Sequence, residues 1–256
     1  MNVRVLGAHR CESPDTRCIC FLVDGKLAID AGALTSRLTF TEQNRLETIL
    51  VTHQHYDHIR DIPGIVLNCA QRGATITIYT TDTVRATLEQ HIFNGKIYPR
   101  FQAMPEDNPA LVLNTVSPYT KQRINGYEIL PVPVQHEGQT VGYQIGNGNG
   151  RALFYTADTG PGLTECWRHV APQLLISDVT VPNSYEDFAR ETHHLTPELL
   201  KAELLAFRQE KGYLPRVIAV HMDAEFEPII REELATIGRE LDTEITAADE
   251  GMEIKV

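Results

Sequence analysis

The densest group of metal-binding side chains lies at residues 53–58, where the sequence reads HQHYDH. Three histidines and one aspartate within six residues offer the imidazole nitrogens and the carboxylate that divalent metals bind in proteins. Because side chains two apart in an extended segment share a face, His53 and His55 can meet at one point while Asp57 and His58 meet at another. Imidazoles packed so densely would repel one another when protonated, unless a cation held them neutral. The segment therefore predicts metal binding rather than a chance surface cluster.

Three further residues each follow an apolar run that is typical of a strand. They are His136 after residues 130–135, Asp158 after residues 152–157, and His221 after residues 217–220. One such residue alone is typical of a cap or a turn. Together with the first group, however, they supply five histidines and two aspartates, which suffice for two adjacent divalent ions.

The elements that must position these residues begin with short strands joined by helices. Apolar runs bounded by turn residues predict strands at 3–6, 19–23, 27–29, 49–51 and 76–79. Residues 61–71 and 82–93 have helical spacing, and each segment begins with an aspartate suited to a helix N-terminus. The irregular segment 94–109 is interpreted as either a lid or a long connection.

The second half of the chain predicts another group of strands with two long helices. Strands are expected at 127–134, 141–145, 152–156, 174–181, 216–220 and 252–256, with the glycine-rich segment 146–150 as a hairpin turn. The helices are expected at 197–211, capped by Thr196 and ended by Gly212, and at 228–241. Two comparable halves of strands and helices predict an α/β protein in which two sheets pack face to face with helices outside.

Charge and composition limit the partners. The 256 residues carry 23 Lys and Arg against 34 Asp and Glu, a net charge of −11. This charge disfavours DNA, long RNA and anionic membranes, because those partners are held by phosphate neutralisation. No apolar run approaches the roughly 20 residues of a membrane helix, and the N-terminus has no signal-peptide pattern. Five cysteines without a C-x-x-C pair predict reduced, mostly buried thiols. We therefore expect a cytoplasmic protein with a small anionic substrate, and a homodimer stays open.

The string THQHYDH at 52–58 resembles the H-x-H-x-D-H signature of the metallo-β-lactamase superfamily. The YTADTG segment at 155–160 and the late histidine after a strand are similar to its other motifs, so the resemblance covers nearly the whole chain. It implies one domain over 1–256, a four-layer αββα sandwich, with two divalent ions at the edge of the sheets. The implied ligands are His53, His55 and His136 for one ion, Asp57, His58 and His221 for the other, and Asp158 for both.

Within that superfamily the chain resembles the phosphodiesterase branch, which contains ribonuclease Z and class II cyclic-nucleotide phosphodiesterases. The resemblance is carried by the segments DAG at 30–32, YTADTG at 155–160 and HLT at 194–196. It implies that His194 is a catalytic residue beside the scissile phosphate and outside the metal ligands, with His193 a bystander. A long insertion resembling the tRNA-gripping arm of ribonuclease Z is absent, which favours a small phosphodiester over tRNA. The absence of cysteine at position 158 argues against antibiotic hydrolysis.

The expected function is therefore a dinuclear metal-dependent hydrolase of a small phosphodiester such as a cyclic nucleotide. In this hypothesis a metal-bridging hydroxide attacks phosphorus while Asp158 orients it. Zinc is the expected metal, with manganese and iron as alternatives, because such sites accept several divalent ions. Two other functions stay open: hydrolysis of a thioester or lactone at the same metals, and metal binding without turnover.

Overall fold

The computed structural model describes all residues of the chain, 1–256. Its strands are β1 (Asn2–Gly7), β2 (Cys20–Val23), β3 (Leu27–Ile29), β4 (Thr48–Leu50), β5 (Ile76–Thr80), β6 (Leu111–Thr115), β7 (Gln122–Ile124), β8 (Tyr127–Pro133), β9 (Val141–Gly146), β10 (Ala152–Tyr155), β11 (Leu174–Asp178), β12 (Arg216–Val220), β13 (Ile245–Ala247) and β14 (Glu253–Lys255). Its α-helices are α1 (Leu34–Arg37), α2 (Phe40–Gln43), α3 (Tyr56–Ile59), α4 (Ile62–Gln71), α5 (Asp82–Thr87), α6 (Thr164–His169), α7 (Glu186–Glu191), α8 (Pro197–Lys211) and α9 (Glu227–Leu241).

The strands form two seven-stranded sheets. One has the order β14-β1-β2-β3-β4-β5-β6, and the other has the order β13-β12-β11-β10-β9-β8-β7. Each sheet is antiparallel in one part and parallel in the other, with β3 to β6 parallel in the first and β10 to β13 parallel in the second. Strands such as β2 and β11 are buried along their whole length, as expected where both faces of a sheet are covered.

Three hydrophobic clusters separate the layers. A cluster of 25 buried residues lies between the sheets and includes Phe21 from the first sheet and Tyr155 from the second, whose rings are 5.0 Å apart. A second cluster packs α4, through residues such as Ile65, on the outer face of the first sheet. A third packs α6, α8 and α9 on the outer face of the second sheet. The α/β class and the four-layer αββα sandwich expected from the sequence are therefore confirmed.

Strand direction decides where the predicted site residues lie. Because β8 and β10 are both antiparallel to β9, and β10, β11 and β12 are parallel, these four strands all end at one edge of the second sheet. The parallel strands β3, β4, β5 and β6 likewise end at one edge of the first sheet. Hydrogen bonds join the two edges, from Tyr143 Oη to the Val51 carbonyl at 3.0 Å and from Val141 N to the Thr52 carbonyl at 3.3 Å. Loops that follow these strands therefore meet.

Several predicted elements differ in detail from the observed ones. The strand expected to reach Val181 ends at Asp178, because its partner β12 ends at Val220, which accepts the last bond from Val179 N, and Thr180 N donates to the Leu195 carbonyl instead. The helix expected at 82–93 is α-helical only to Thr87 and continues as a π-helical turn. The short or polar elements have no clear sequence signal and were not predicted: α1, α2, α3, α6, α7, β6, β7 and β13. No helix combines the length and apolar character that crossing a membrane requires.

Candidate metal centre

The HQHYDH segment begins three residues after the end of β4 and runs into α3. Asp30, which follows β3, holds this loop: its Oδ1 accepts hydrogen bonds from Thr52 N at 2.9 Å and Thr52 Oγ1 at 3.0 Å. Its Oδ2 accepts a 2.7 Å hydrogen bond from His58 Nδ1. Such a carboxylate fixes the orientation of a metal-binding imidazole and leaves the other nitrogen free. Asp30 therefore orients the ring of His58 so that its Nε2 faces Asp57 and Asp158.

The first group of donors contains His53, His55, His136 and Asp158, whose ligand atoms all lie within 4.8 Å of one another. His53 Nε2 is 3.6 Å from Asp158 Oδ2, and His136 Nε2 is 3.3 Å from His55 Nδ1. His136 donates from Nδ1 to the His193 carbonyl at 3.1 Å, which fixes its ring with Nε2 facing the group. Tetrahedral ligands about 2.0 Å from zinc are about 3.3 Å apart, so these spacings suit one shared cation.

The second group contains Asp57, His58, Asp158 and His221, also within 4.8 Å. His221 Nε2 lies 3.2 Å from Asp57 Oδ2 and 3.2 Å from Asp158 Oδ2. His58 Nε2 is 3.2 Å from Asp158 Oδ1. Asp158 is thus common to both groups: its Oδ2 faces His53 and His221, one from each group, and its Oδ1 faces His58.

The structure brings all seven sequence-predicted ligands together, in the two sets that the resemblance implies. Three of their buried atoms have no hydrogen-bond partner: His53 Nε2, His58 Nε2 and Asp158 Oδ1. Buried polar atoms are almost always paired, so an orphaned group at a convergent point indicates a missing ligand. Imidazole and carboxylate are donors that zinc, manganese and iron accept. The residues therefore fit two divalent cations.

Electrostatics divide the histidines of the centre into two kinds. Burial lowers the pKa of His53 well below its usual value and also lowers the pKa of His136. Burial acts in the same direction at His58 and His221, but nearby carboxylates, Asp158 foremost, outweigh it and raise both pKa values, that of His221 to about 10. A proton shared between a carboxylate and an imidazole occupies a place that a metal cation can take, because metal binding releases protons from its ligands.

His194 lies beside the two groups. Its Nδ1 donates a 2.7 Å hydrogen bond to Asp178 Oδ2, and its ring centre is 5.2 Å from that of His136 and 5.1 Å from that of His221. The neighbouring His193 side chain is exposed, although its carbonyl accepts the bond from His136. His194 therefore adjoins both donor groups through an imidazole that Asp178 orients.

Asp178 is the functional candidate that the sequence analysis missed. It is fully buried and also accepts hydrogen bonds from Thr180 Oγ1 at 2.6 Å and Thr159 N at 3.1 Å. Charge attraction from His194 outweighs burial and lowers the pKa of the Asp178 carboxyl, which keeps it ionised. The signal that could have found it is the one that marked Asp158, an acid at the end of an apolar strand.

Backbone strain concentrates around the centre. Of the eight non-glycine residues with positive φ, four lie in its loops: Asp30 (φ 55°), Ala157 (φ 60°), His193 (φ 56°) and His221 (φ 67°). A left-handed conformation costs an L-residue free energy and persists only where the surroundings enforce it. Here the enforcing contacts are those that hold the donor groups.

Solved structures share the fold of this chain. The metallo-β-lactamase fold protein YhfI from Bacillus subtilis superposes with a TM-score of 0.78 at 19% identity, covering 99% of both chains. Unliganded yeast PDE1 superposes with a TM-score of 0.85 at 17% identity, covering 100% of this chain and 99% of that one. At these identities the likeness concerns the fold.

Curated relatives are similar in sequence. A 3',5'-cyclic-nucleotide phosphodiesterase from Schizosaccharomyces pombe is 34% identical over 105 residues, which is 40% of this chain and only 28% of the relative's length. A ribonuclease Z from Halorubrum lacusprofundi is 26% identical over an alignment covering 81% of each chain. The family described as the β-lactamase superfamily domain matches residues 22–222, which include all seven candidate ligands, Asp178 and His194. The chain therefore belongs to the β-lactamase superfamily.

Proposed function

We propose that this protein is a dinuclear metal-dependent hydrolase of small phosphodiesters, with cyclic nucleotides as the foremost class. The observation that carries the proposal is the pair of donor groups that share Asp158 beside the Asp178–His194 pair. Relatives named as a cyclic-nucleotide phosphodiesterase and a ribonuclease Z support the same class of reaction.

His53, His55 and His136 would hold one cation, Asp57, His58 and His221 the other, and Asp158 both. We propose zinc, with manganese and iron as alternatives for the same donors. When bound, two such cations supply a nucleophile from water at neutral pH and offset the negative charge of a phosphodiester. Because the chain carries a net charge of −11, that local positive charge is what attracts an anionic substrate.

The residues of the chain position the reactants and move the protons. Asp158 is buried among the histidines, so its carboxylate orients a nucleophilic water by accepting a hydrogen bond from it. His194 donates from Nδ1 to Asp178, so its Nε2 is the nitrogen left to act on substrate. From that position a protonated His194 gives its proton to the leaving oxygen, which an alkoxide leaving group needs.

This division of roles favours a phosphodiester over a thioester and over metal binding without turnover. A thiolate leaves a thioester without a proton donor, so an oriented imidazole such as His194 adds little to that reaction. A protein that only stores or senses metal has no use for an oriented imidazole next to its donors. The acidic net charge disfavours long nucleic acid as the substrate.

Metal analysis and a substrate panel, performed on one sample, test this proposal. We expect close to two divalent ions per chain and turnover of cyclic nucleotides or linear phosphodiesters. The comparison substrates are a thioester and a lactone of similar size. Hydrolysis of the thioester or lactone alone would contradict the phosphodiesterase assignment, and a metal-loaded protein inert on all substrates would indicate metal binding without turnover. One ion at saturating metal would remove the dinuclear assignment.

A further inference from the structure

A cavity of about 360 Å³ is lined in part by Val134 and residues 138–141, which flank the turn that carries His136. Thr81 and Asp82 line it directly after β5, and Val116 and Ser117 line it directly after β6. The HQHYDH segment follows β4, which pairs in parallel with β5. β5 and β6 are the first and second neighbours of β4 on this side, and neighbouring strands lie about 4.8 Å apart. The cavity is therefore one to two strand spacings from the HQHYDH segment, along the same edge of the sheet.

The turn at residues 134–140 separates the cavity from the donor groups. On one side it carries His136, and Glu137 Oε2 lies 3.8 Å from His55 Nε2. On the other side Val134 and Thr140 line the cavity. The turn is closed by hydrogen bonds, from Val134 N to the Thr140 carbonyl and from Thr140 Oγ1 to the Glu137 carbonyl. Only this turn therefore lies between the cavity and a substrate bound at the donor groups.

The lining of the cavity selects its occupant. Valine and proline side chains, including Val116, Pro118 and Val134, provide apolar surface, while Thr81, Ser117 and Thr140 provide hydroxyl groups. Asp82 is the one charged residue of the lining, and no lysine or arginine is present. Such a lining opposes a second phosphate and accepts an uncharged ring system that donates hydrogen bonds. The volume is at the lower end of the range of about 300–1,000 Å³ for small-molecule sites.

We propose that this cavity binds the nucleoside portion of the substrate, with Asp82 accepting a hydrogen bond from it. The inference rests on the proposed phosphodiesterase function, and it adds a specificity site on the side of the centre formed by β5 and β6. In a linear diester the nucleoside that stays on phosphorus lies in the cavity while the leaving group faces His194. In a cyclic nucleotide, where one nucleoside carries both ester oxygens, the base lies in the cavity while the leaving oxygen faces His194.

Two esters with the same leaving group test the assignment. Thymidine 5'-(p-nitrophenyl phosphate) and methyl p-nitrophenyl phosphate differ only in the group that stays on phosphorus. The variant Ser117→Phe places an aromatic ring in the cavity from an exposed loop position. We expect kcat/KM for the thymidine ester to fall about tenfold or more, because remote binding energy is lost, while the methyl ester stays within about twofold. Asp82→Asn should lower kcat/KM for the thymidine ester alone, by a smaller factor.

Ser184→Phe is the matched control, since Ser184 is also an exposed serine after a strand end but follows β11, which carries Asp178, and lies next to Tyr185. There Tyr185 and Phe226 form an aromatic pair with ring centres 4.8 Å apart, the rival place for a nucleobase. Selective loss of the thymidine ester in Ser184→Phe, with Ser117→Phe unaffected, would overturn the proposal. Equal loss of both esters in Ser117→Phe would also overturn it.

Calorimetry with thymidine and metal-free protein gives a readout that needs no turnover. We expect the wild-type protein and Ser184→Phe to bind thymidine equally, and Ser117→Phe to bind it at least about tenfold more weakly. If the wild-type protein hydrolyses neither ester, the proposed function fails, and the calorimetry alone decides on the cavity. If it hydrolyses both and thymidine binds Ser117→Phe as well as the wild type, only the cavity assignment fails.

Discussion

The ring of His194 is held by one strong contact, the 2.7 Å hydrogen bond from its Nδ1 to the buried Asp178. We predict that His194→Ala keeps both metal ions but lowers turnover of an alkyl phosphodiester about 10²- to 10³-fold. The loss should be much smaller for a p-nitrophenyl ester, because that leaving group departs without a proton. Rates on both esters and metal analysis check this, with His193→Ala as the matched control. Loss of a metal in His194→Ala, or inactivation by His193→Ala instead, would contradict it.

Asp178 belongs to the same unit as His194. We predict that Asp178→Asn shows the leaving-group dependence of His194→Ala, because the amide no longer fixes the imidazole in its donating form. The rate of the double variant should be at most about twofold lower than that of His194→Ala alone, since the effects of residues that act as a unit do not add. Circular dichroism confirms that the variants are folded. Additive losses would place Asp178 in a purely structural role.

Asp158 is the residue on which both donor groups depend. We predict that Asp158→Asn retains the fold and loses one or both ions together with most activity, because an amide bridges two cations poorly. Metal content by elemental analysis is the deciding measurement. A variant with normal metal content and rate would show that Asp158 merely ends its strand.

For single residues, the sequence indicated the candidate ligands by their type and position. It did not indicate residues whose role depends on a hydrogen bond to a distant part of the chain. His136, Asp158 and His221 each follow an apolar run, and together with the HQHYDH segment this position was enough to indicate them. The hydrogen bond from His194 Nδ1 to Asp178 joins a loop to the end of β11, and the one from His58 Nδ1 to Asp30 joins α3 to the residue after β3. Both aspartates follow an apolar run, as Asp158 does, but only these contacts show what each of them positions.

Among the elements, the loop after β10 depends on a buried carboxylate of α8. Glu203 accepts hydrogen bonds from Gly162 N at 2.6 Å, Leu163 N at 3.1 Å and Trp167 Nε1 at 3.1 Å. We predict that Glu203→Ala lowers the free energy of unfolding by about 3 kcal/mol, because the two buried donors of Leu163 and Trp167 and the partly buried donor of Gly162 lose their acceptor. Glu198→Ala, on the exposed side of the same helix, should cost about 0.5 kcal/mol or less. Urea denaturation distinguishes the two, and equal losses would contradict this account.

Element prediction was most accurate where local signals agreed. Helix α8 begins and ends where Thr196, Pro197 and Gly212 indicate, with Thr196 Oγ1 accepting from Leu199 N and Gly212 at φ 79°. The three-residue strand β7 is polar and depends on its pairing with β8, a contact between segments that the residues alone do not reveal. The length of β11 likewise depended on its neighbour β12 rather than on its own apolar run.

For the whole molecule, the distribution of the core separates folding from metal binding. The three hydrophobic clusters contain 25, 25 and 24 buried residues and none of the candidate ligands. We predict that chelation stops turnover and lowers Tm, since ligands that bind only the native state stabilise it by mass action. The far-ultraviolet circular dichroism spectrum should stay unchanged. Global unfolding on chelation at room temperature would instead make the metals a structural requirement.

The left-handed residues around the centre define where heat stability and activity oppose each other. An engineer who relaxes His193 to glycine removes a penalty of about 1–2 kcal/mol at φ 56°, part of which returns as extra freedom of the unfolded chain. Its side chain is exposed, so nothing else is lost in packing. The backbone carbonyl of His193, however, accepts the hydrogen bond that fixes the ring of His136. Thermostabilising substitutions selected without an activity screen would therefore accumulate in the loops that orient the donor atoms. The positions of these atoms would become less well defined.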